Sequence, residues 1–445
     1  MPEKFFDTHC HLFNIVDVPL YETLNGKIEM NTVIKLLGAI SASSALLSGF
    51  LQNKIEDYKE FIQFFERGQD ENIRALASQV LNTSKAEQVI LTPLVMDFDC
   101  TRHDCGEDNK LCFGKDCPLQ KSRQTSATYD PTAAGQFKRL QASINSFHDQ
   151  HNDWDQKIKI LPFLGFDLRK LTPNNSTALA ELKALWKSVG ATKAERAQGF
   201  SSIESGTAMG IKLYPPIGFN PYPQQPEALQ PYQEFYEWCI EEQIPITVHC
   251  QSGSFSTTKK KRTIKNNTHA SNWLRLFEDW NSDKIDSDHD INKLRINFAH
   301  FGGENGLEDM IDLWRPHDTD TDSWTYLLVK LLQNYDHTYA DLSAFDWANS
   351  GDSENFVRLM KLDKDNDLPD SGVESPHKLK DKLLWGSDVP MVVSDKSYRE
   401  NTNQDGQSEY KHLWDNFNSA ITNVPDKSRL VRSMSELNPE KFLLG

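Results

Sequence analysis

Eight short apolar runs, each followed by helical or loop sequence, constrain the fold of this 445-residue chain more than any other feature. They fall at residues 5–7, 88–95, 158–165, 210–214, 245–249, 295–300, 338–342 and 382–388. The runs are nearly continuous rather than alternating, which is the pattern of parallel strands covered on both faces. Helical periodicity lies between them at 178–188, 232–242, 270–280, 307–314 and 324–334. Repeated β-α units with parallel strands leave an open doubly wound sheet or a closed barrel, and eight units favour the barrel. The expected class is α/β: a (β/α)8 TIM barrel with long helical and Cys-containing loop insertions.

The chain exceeds the ~250 residues of a typical barrel. The excess falls at about 17–85, expected to be helical, at 97–150, which is Cys-rich, and at 350–380, expected to be an acidic loop, all within one domain spanning 1–445. Such loops lie on the catalytic face of a barrel, where they can act as lids. With 38% hydrophobic residues, 24 Phe and ten Trp there is ample material for a core, so disorder is excluded as the main state.

The formal charge of −16 opposes binding to a phosphate backbone. The one dense basic run, Lys259-Lys260-Lys261-Arg262 with Lys265 nearby, reads as a solvated loop, so no nucleic-acid partner is expected. Residues 33–51 are only moderately apolar, with Lys35, four Ser and two Gly; a buried or oligomer-facing helix pair fits better than a membrane span. No secretory signal precedes position 9, so the cytoplasm is expected, and an odd count of seven Cys argues against a disulfide framework. The expected partner is a small-molecule substrate, with homo-oligomerisation left open.

The strongest chemical signal is Asp7-Thr8-His9-Cys10-His11 at the end of the first run. Residues two apart on a strand point the same way, so His9 and His11 project together and make half of a metal site. His249 ends the fifth run, His300 the sixth and Asp388 the eighth, which are the strand ends where barrel enzymes place catalytic groups. Neutral nitrogen and anionic oxygen ligands suit Zn²⁺, with Mn²⁺ or Fe²⁺ as alternatives. Cys10 and Cys250 neighbour these positions and should face away from a metal as packing residues.

The segments FDTHCHLFN, GIKLYPPIGFNP, PITVHCQSG, INFAHFGG and LLWGSDVP, in this order, resemble the amidohydrolase superfamily. The similarity points to its amidohydrolase-related branch of metal-dependent hydrolases, lactonases, decarboxylases and hydratases, and it spans nearly the whole chain. It implies that His9, His11, His249 and Asp388 hold one catalytic metal. It further implies that Asp388 takes a proton from the attacking water and passes it to the leaving group. His300 would bind a second metal or polarise the substrate and shuttle protons. For Lys212 the resemblance leaves three roles: a carbamylated bridge between two metals, a partner for a substrate carboxylate, or a structural group. One or two ions are therefore expected.

The implied activity is hydrolysis of a small amide, lactone or ester, carboxylate-bearing, through a metal-activated water. A decarboxylase or hydratase would use the same ligands. A TatD-type deoxyribonuclease shares the opening motif, but that family carries Glu on the fourth strand and Glu-Thr-Asp on the eighth. This chain has Lys212 and Gly386-Ser387-Asp388 there. A catalytically silent barrel is opposed by the intact ligand set. Tyr214, in a stiff Pro-rich loop, would wall the substrate pocket or form a simple turn. Arg169 would clamp a substrate carboxylate or form a helix-start salt bridge. Cys100, Cys105, Cys112 and Cys117 would hold a structural metal, form local disulfides or remain free thiols.

Overall fold

The computed structural model describes residues 2–12, 68–97, 132–154, 156–172, 177–252, 261–312, 323–365, 368, 376–390 and 409–445. Nine strands appear among them: β1 (Lys4–Cys10), β2 (Gln88–Pro93), β3 (Ile158–Ile160), β4 (Phe163–Phe166), β5 (Gly210–Leu213), β6 (Ile246–Gln251), β7 (Ile296–Gly302), β8 (Thr338–Asp341) and β9 (Leu383–Leu384). Every paired neighbour is parallel, in the orders β1-β2-β3 and β4-β5-β6-β7-β8-β9.

β3 and β4 are one barrel strand interrupted at Leu161-Pro162. The Leu161 N–H donates to the Leu91 carbonyl (2.8 Å) and the Val95 N–H to the Phe163 carbonyl (3.1 Å). Pro162 has no N–H to give to the ladder, which is why the regular pairing lapses there. The ring closes between β9 and β1: the Thr8 N–H donates to Trp385 O (3.0 Å), Asp388 N–H to His9 O (2.7 Å) and His11 N–H to Val389 O (2.8 Å). Eight strands closed in sequence order make the expected (β/α)8 barrel.

The helices around it include α1 (Gln69–Ser84), α2 (Ala133–Gln150), α3 (Thr177–Val189), α4 (Pro226–Glu241), α5 (Ser271–Asn281), α6 (Gly303–Asp312), α7 (Trp324–Asn334), α8 (Ser350–Asp365), α9 (Glu409–Ala420) and α10 (Asn438–Leu444). A large apolar layer packs them against the outside of the barrel. A smaller cluster fills the interior floor, where Phe6, Ile90, Phe163, Tyr339 and Leu384 meet Phe442 of α10. The Phe442 ring stacks on Phe163 (centroids 6.2 Å) and lies 5.6 Å from Tyr339.

α8 corrects one expectation. The start of the segment read as an acidic loop, 350–380, is helix. Phe356, Leu359, Met360 and Asp363 are its buried face, at the i, i+3, i+4, i+7 spacing of an amphipathic helix. The surrounding charges hid that stripe, and one of them, Asp363, belongs to it: its carboxylate is buried and accepts the Leu379 N–H (3.0 Å). No helix among the described residues is long and apolar enough to cross a membrane. Residues 33–51 and the run Cys100, Cys105, Cys112, Cys117 lie outside the described residues.

Candidate metal centre

The β1 strand carries a bulge where the chemistry begins. Asp7 pairs with Leu91 and Cys10 with Pro93, so β1 fits one extra residue into that interval and turns His9 toward the mouth. His9 Nε2 lies 3.4 Å and His11 Nε2 3.2 Å from the same oxygen, Asp388 Oδ1. One ligand atom from each of these three side chains falls within 4.8 Å of the others, and all three side chains are buried. β9 must approach closely for this: a Cβ on Gly386 would lie 2.6 Å from the Cβ of His9. Asp7 holds the same seam from below, its Oδ1 accepting the N–H groups of Ser387 (3.0 Å) and His9 (3.3 Å).

A second bulge aims His300. His249 pairs with Ala299 and Gln251 with Gly302, leaving an extra residue on β7 where His300 and Phe301 adopt φ of 69° and 44°. The left-handed region is costly for such side chains and is tolerated where function needs it. His300 thereby reaches across the mouth, with its ring 4.8 Å from that of His9 and its Nε2 3.1 Å from His249 Nδ1. The expected four-ligand set is therefore assembled as three plus one: His9, His11 and Asp388 converge, and His249 stands beyond them against His300. The His300 ring lies 4.8 Å from that of His9 and 4.7 Å from that of His249, beside both. Tyr214, closing β5, packs edge-on against His249 (5.0 Å), as a pocket wall would.

The electrostatics suit a cation. Burial pushes the His11 imidazole below its ordinary value, and burial with the nearby His9 pushes His300 down to about 3. Burial alone would raise Asp388, but the hydrogen bond from His11 and the neighbouring His9 outweigh it and hold the carboxyl below the usual range. The mouth thus sets the imidazoles of His11 and His300, both held below their ordinary value, beside an ionised carboxylate. Lys212, buried on β5, is pushed down to about 8 by desolvation, opposed by the charges of Asp341 and Asp388.

Arg169 has other work than the expected clamp. Its Nη2 pairs with Asp167 Oδ2 (2.6 Å), its Nε bonds both Asp167 oxygens, and its Nη1 donates to Ile217 O (2.8 Å). It ties the loop after β4 to the Pro-rich loop after β5, which is the salt-bridge alternative. Cys10 and Cys250 are fully buried, with burial pushing both thiols up, as packing residues should be.

Residues 172–443 match the amidohydrolase family. The chain belongs to that family. The matched span carries Lys212, His249, His300 and Asp388, while His9 and His11 precede it. No curated protein matches the chain. Solved structures similar to this amidohydrolase include 4-oxalomesaconate hydratase from Rhodopseudomonas palustris (13% identity, 99% of this chain and 95% of that one, TM-score 0.43). Another is 5-carboxyvanillate decarboxylase from Novosphingobium aromaticivorans, complexed with manganese (10% identity, 99% and 96%, TM-score 0.44). A third is a probable 2-pyrone-4,6-dicarboxylic acid hydrolase from Acinetobacter baumannii (14% identity, 99% and 99%, TM-score 0.41).

One member of the amidohydrolase mouth was not anticipated. Asp341, fully buried at the end of β8, forms a second candidate ligand group with His9 and His300. The signal that singled out Asp388, an acid closing an apolar run, was present at Asp341 as well.

Proposed function

We propose that this amidohydrolase is a metal-dependent hydrolase of small carboxylate-bearing amides, lactones or esters, acting at the barrel mouth. The convergence of His9, His11 and Asp388 within 4.8 Å carries the reading. Two neutral nitrogens and one anionic oxygen, all buried, are a donor set for Zn²⁺ or a comparable divalent ion, and His249 and His300 are the adjoining imidazoles. A bound cation supplies Lewis acidity, polarising a substrate oxygen and lowering the pKa of a water.

The chain's own residues supply the rest. The Asp388 carboxylate, held ionised, accepts a proton and returns it to the leaving group. The Lys212 ammonium, buried within electrostatic reach of Asp341 and Asp388, attracts a substrate carboxylate. The Tyr214 ring covers the His249 side and helps exclude water.

Metal analysis of the purified protein with a screen of lactones, N-acyl compounds and aromatic carboxylic acids tests this. The expected result is a bound divalent ion, activity lost on chelation, and rescue by Zn²⁺ or Mn²⁺. Release of CO2, or addition of water to a double bond, would replace hydrolase with lyase on the same residues. A protein with neither bound metal nor rescue would be a silent barrel.

A further inference from the structure

We propose that Asp341 is the positioning residue of the metal centre, the origin of a hydrogen-bond chain that sets the tautomers of His9, His300 and His249. The inference rests on the metal-dependent reading above and deepens it. Asp341 is fully buried, and its carboxylate is saturated. Oδ2 accepts from His9 Nδ1 (3.0 Å) and Asn297 Nδ2 (2.7 Å); Oδ1 accepts from the N–H groups of His300 (3.1 Å) and Ser343 (3.2 Å) and from the Ser343 hydroxyl.

Counting hydrogens fixes the rest. An ionised carboxylate only accepts, so the proton on the His9 ring sits at Nδ1 and its Nε2 is unprotonated, facing Asp388. Ser343 gives its one hydroxyl hydrogen to Asp341. Its oxygen, 3.0 Å from His9 Nδ1 and 2.9 Å from His300 Nδ1, then accepts from both rings, which leaves His300 Nε2 as an acceptor. His300 Nε2 lies 3.1 Å from His249 Nδ1, so His249 carries its proton there and presents an unprotonated Nε2 in turn. His11 reaches the same state separately, by donating Nδ1–H to Leu94 O (3.1 Å). One carboxylate therefore prepares two imidazoles for a cation, and a third is prepared by a backbone carbonyl. Carboxylate or carbonyl partners of this kind orient metal-bound histidines and raise their basicity. The group His9, His300 and Asp341 is on this account hydrogen-bonded support, and the centre takes one cation.

The test is Co²⁺ titration of the metal-stripped protein, followed by its visible absorption bands, with 15N-histidine NMR of the metal-free form. The variants are Asp341→Asn, which keeps the volume but places donors against donors, and Ser343→Ala, which removes the hydroxyl that links Asp341 to His300 and lies 3.0 Å from His9 Nδ1, leaving the Asp341–His9 bond in place. Wild type is expected to bind one Co²⁺ and to show Nδ1–H tautomers at His9, His11, His249 and His300. Asp341→Asn should lose about 10–100-fold in Co²⁺ affinity, with altered bands. Ser343→Ala should lose less: His9, still bonded to Asp341, should keep its Nδ1–H tautomer, while His300, left with only the backbone carbonyl of position 343 (3.4 Å), and His249 should show mixed tautomers. If Asp341→Asn does not fold, Ser343→Ala and the wild-type tautomers decide. Wild-type affinity and bands in both variants would overturn the proposal, and so would a second Co²⁺ that depends on Asp341. A wild type that binds no Co²⁺ would instead remove the metal-dependent reading itself.

Discussion

Phe6 and His9 sit on one strand, and the contrast between their surroundings is the contrast between the barrel's floor and its mouth. At the floor, Phe6, Tyr339 and Leu384 pack with Phe442 in an apolar cluster. Further along the same strands, His9, Asp341 and Asp388 crowd into a polar one. Two buried lysines repeat the contrast. Burial pushes both Lys212 and Lys382 down to about 8. Lys382, at the start of β9, gives its hydrogens to the carbonyls of Tyr335 (2.8 Å) and Asp336 (2.5 Å). Lys212, in the mouth, is opposed by the charges of Asp341 and Asp388. The floor meets its buried lysine with backbone carbonyls. The mouth sets titratable side chains against one another, a cost that a protein retains for chemistry.

The sharpest way to break this contrast is Asp388→Ala. It should lower kcat/KM on the substrate found by screening by about 10⁴-fold or more, with Tm unchanged or raised; a large fall in Tm would make the mouth structural. Phe442→Ala is the converse. Unfolding in urea should reveal a loss of about 3–5 kcal/mol, while the folded fraction keeps its metal stoichiometry. Gly386→Ala should join the two ends, because its new methyl presses on His9. About 1–3 kcal/mol of stability and part of the metal affinity should fall together, and loss of one alone would show that closure of the β1–β9 seam and the geometry of the centre are separable.

The most gradual effect is a pH slope. The folded-state value of Lys382, about 8, lies below its ordinary 10.5, so between these values the unfolded chain holds more protons. Its cost is full below pH 8 and is relieved as pH rises toward 10.5, so stability climbs by at most about 1.4 kcal/mol per pH unit. The difference between wild type and Lys382→Met, followed by denaturation across that window, should carry this slope. A flat difference would mean that the Lys382 ammonium is solvated at the floor.

The eight apolar runs, the polar residues that close them and the family motifs were legible without coordinates, because burial on both faces and chemistry at strand ends each write a local pattern. α8 was not, since its buried stripe Phe356, Leu359, Met360 and Asp363 is diluted by charge. For Arg169 the sequence leaves a carboxylate clamp and a helix-start salt bridge open, and Asp167, two residues earlier, takes its guanidinium. By itself the sequence determined a parallel barrel with histidines and an aspartate at its mouth. Only the tertiary structure decided which of them touch: that His9 and His11 share Asp388, that His249 faces His300, and that Asp341 stands behind them. Those contacts depend on the bulges in β1 and β7 and on how strands far apart in the chain align across the closed ring, and no local pattern encodes that alignment.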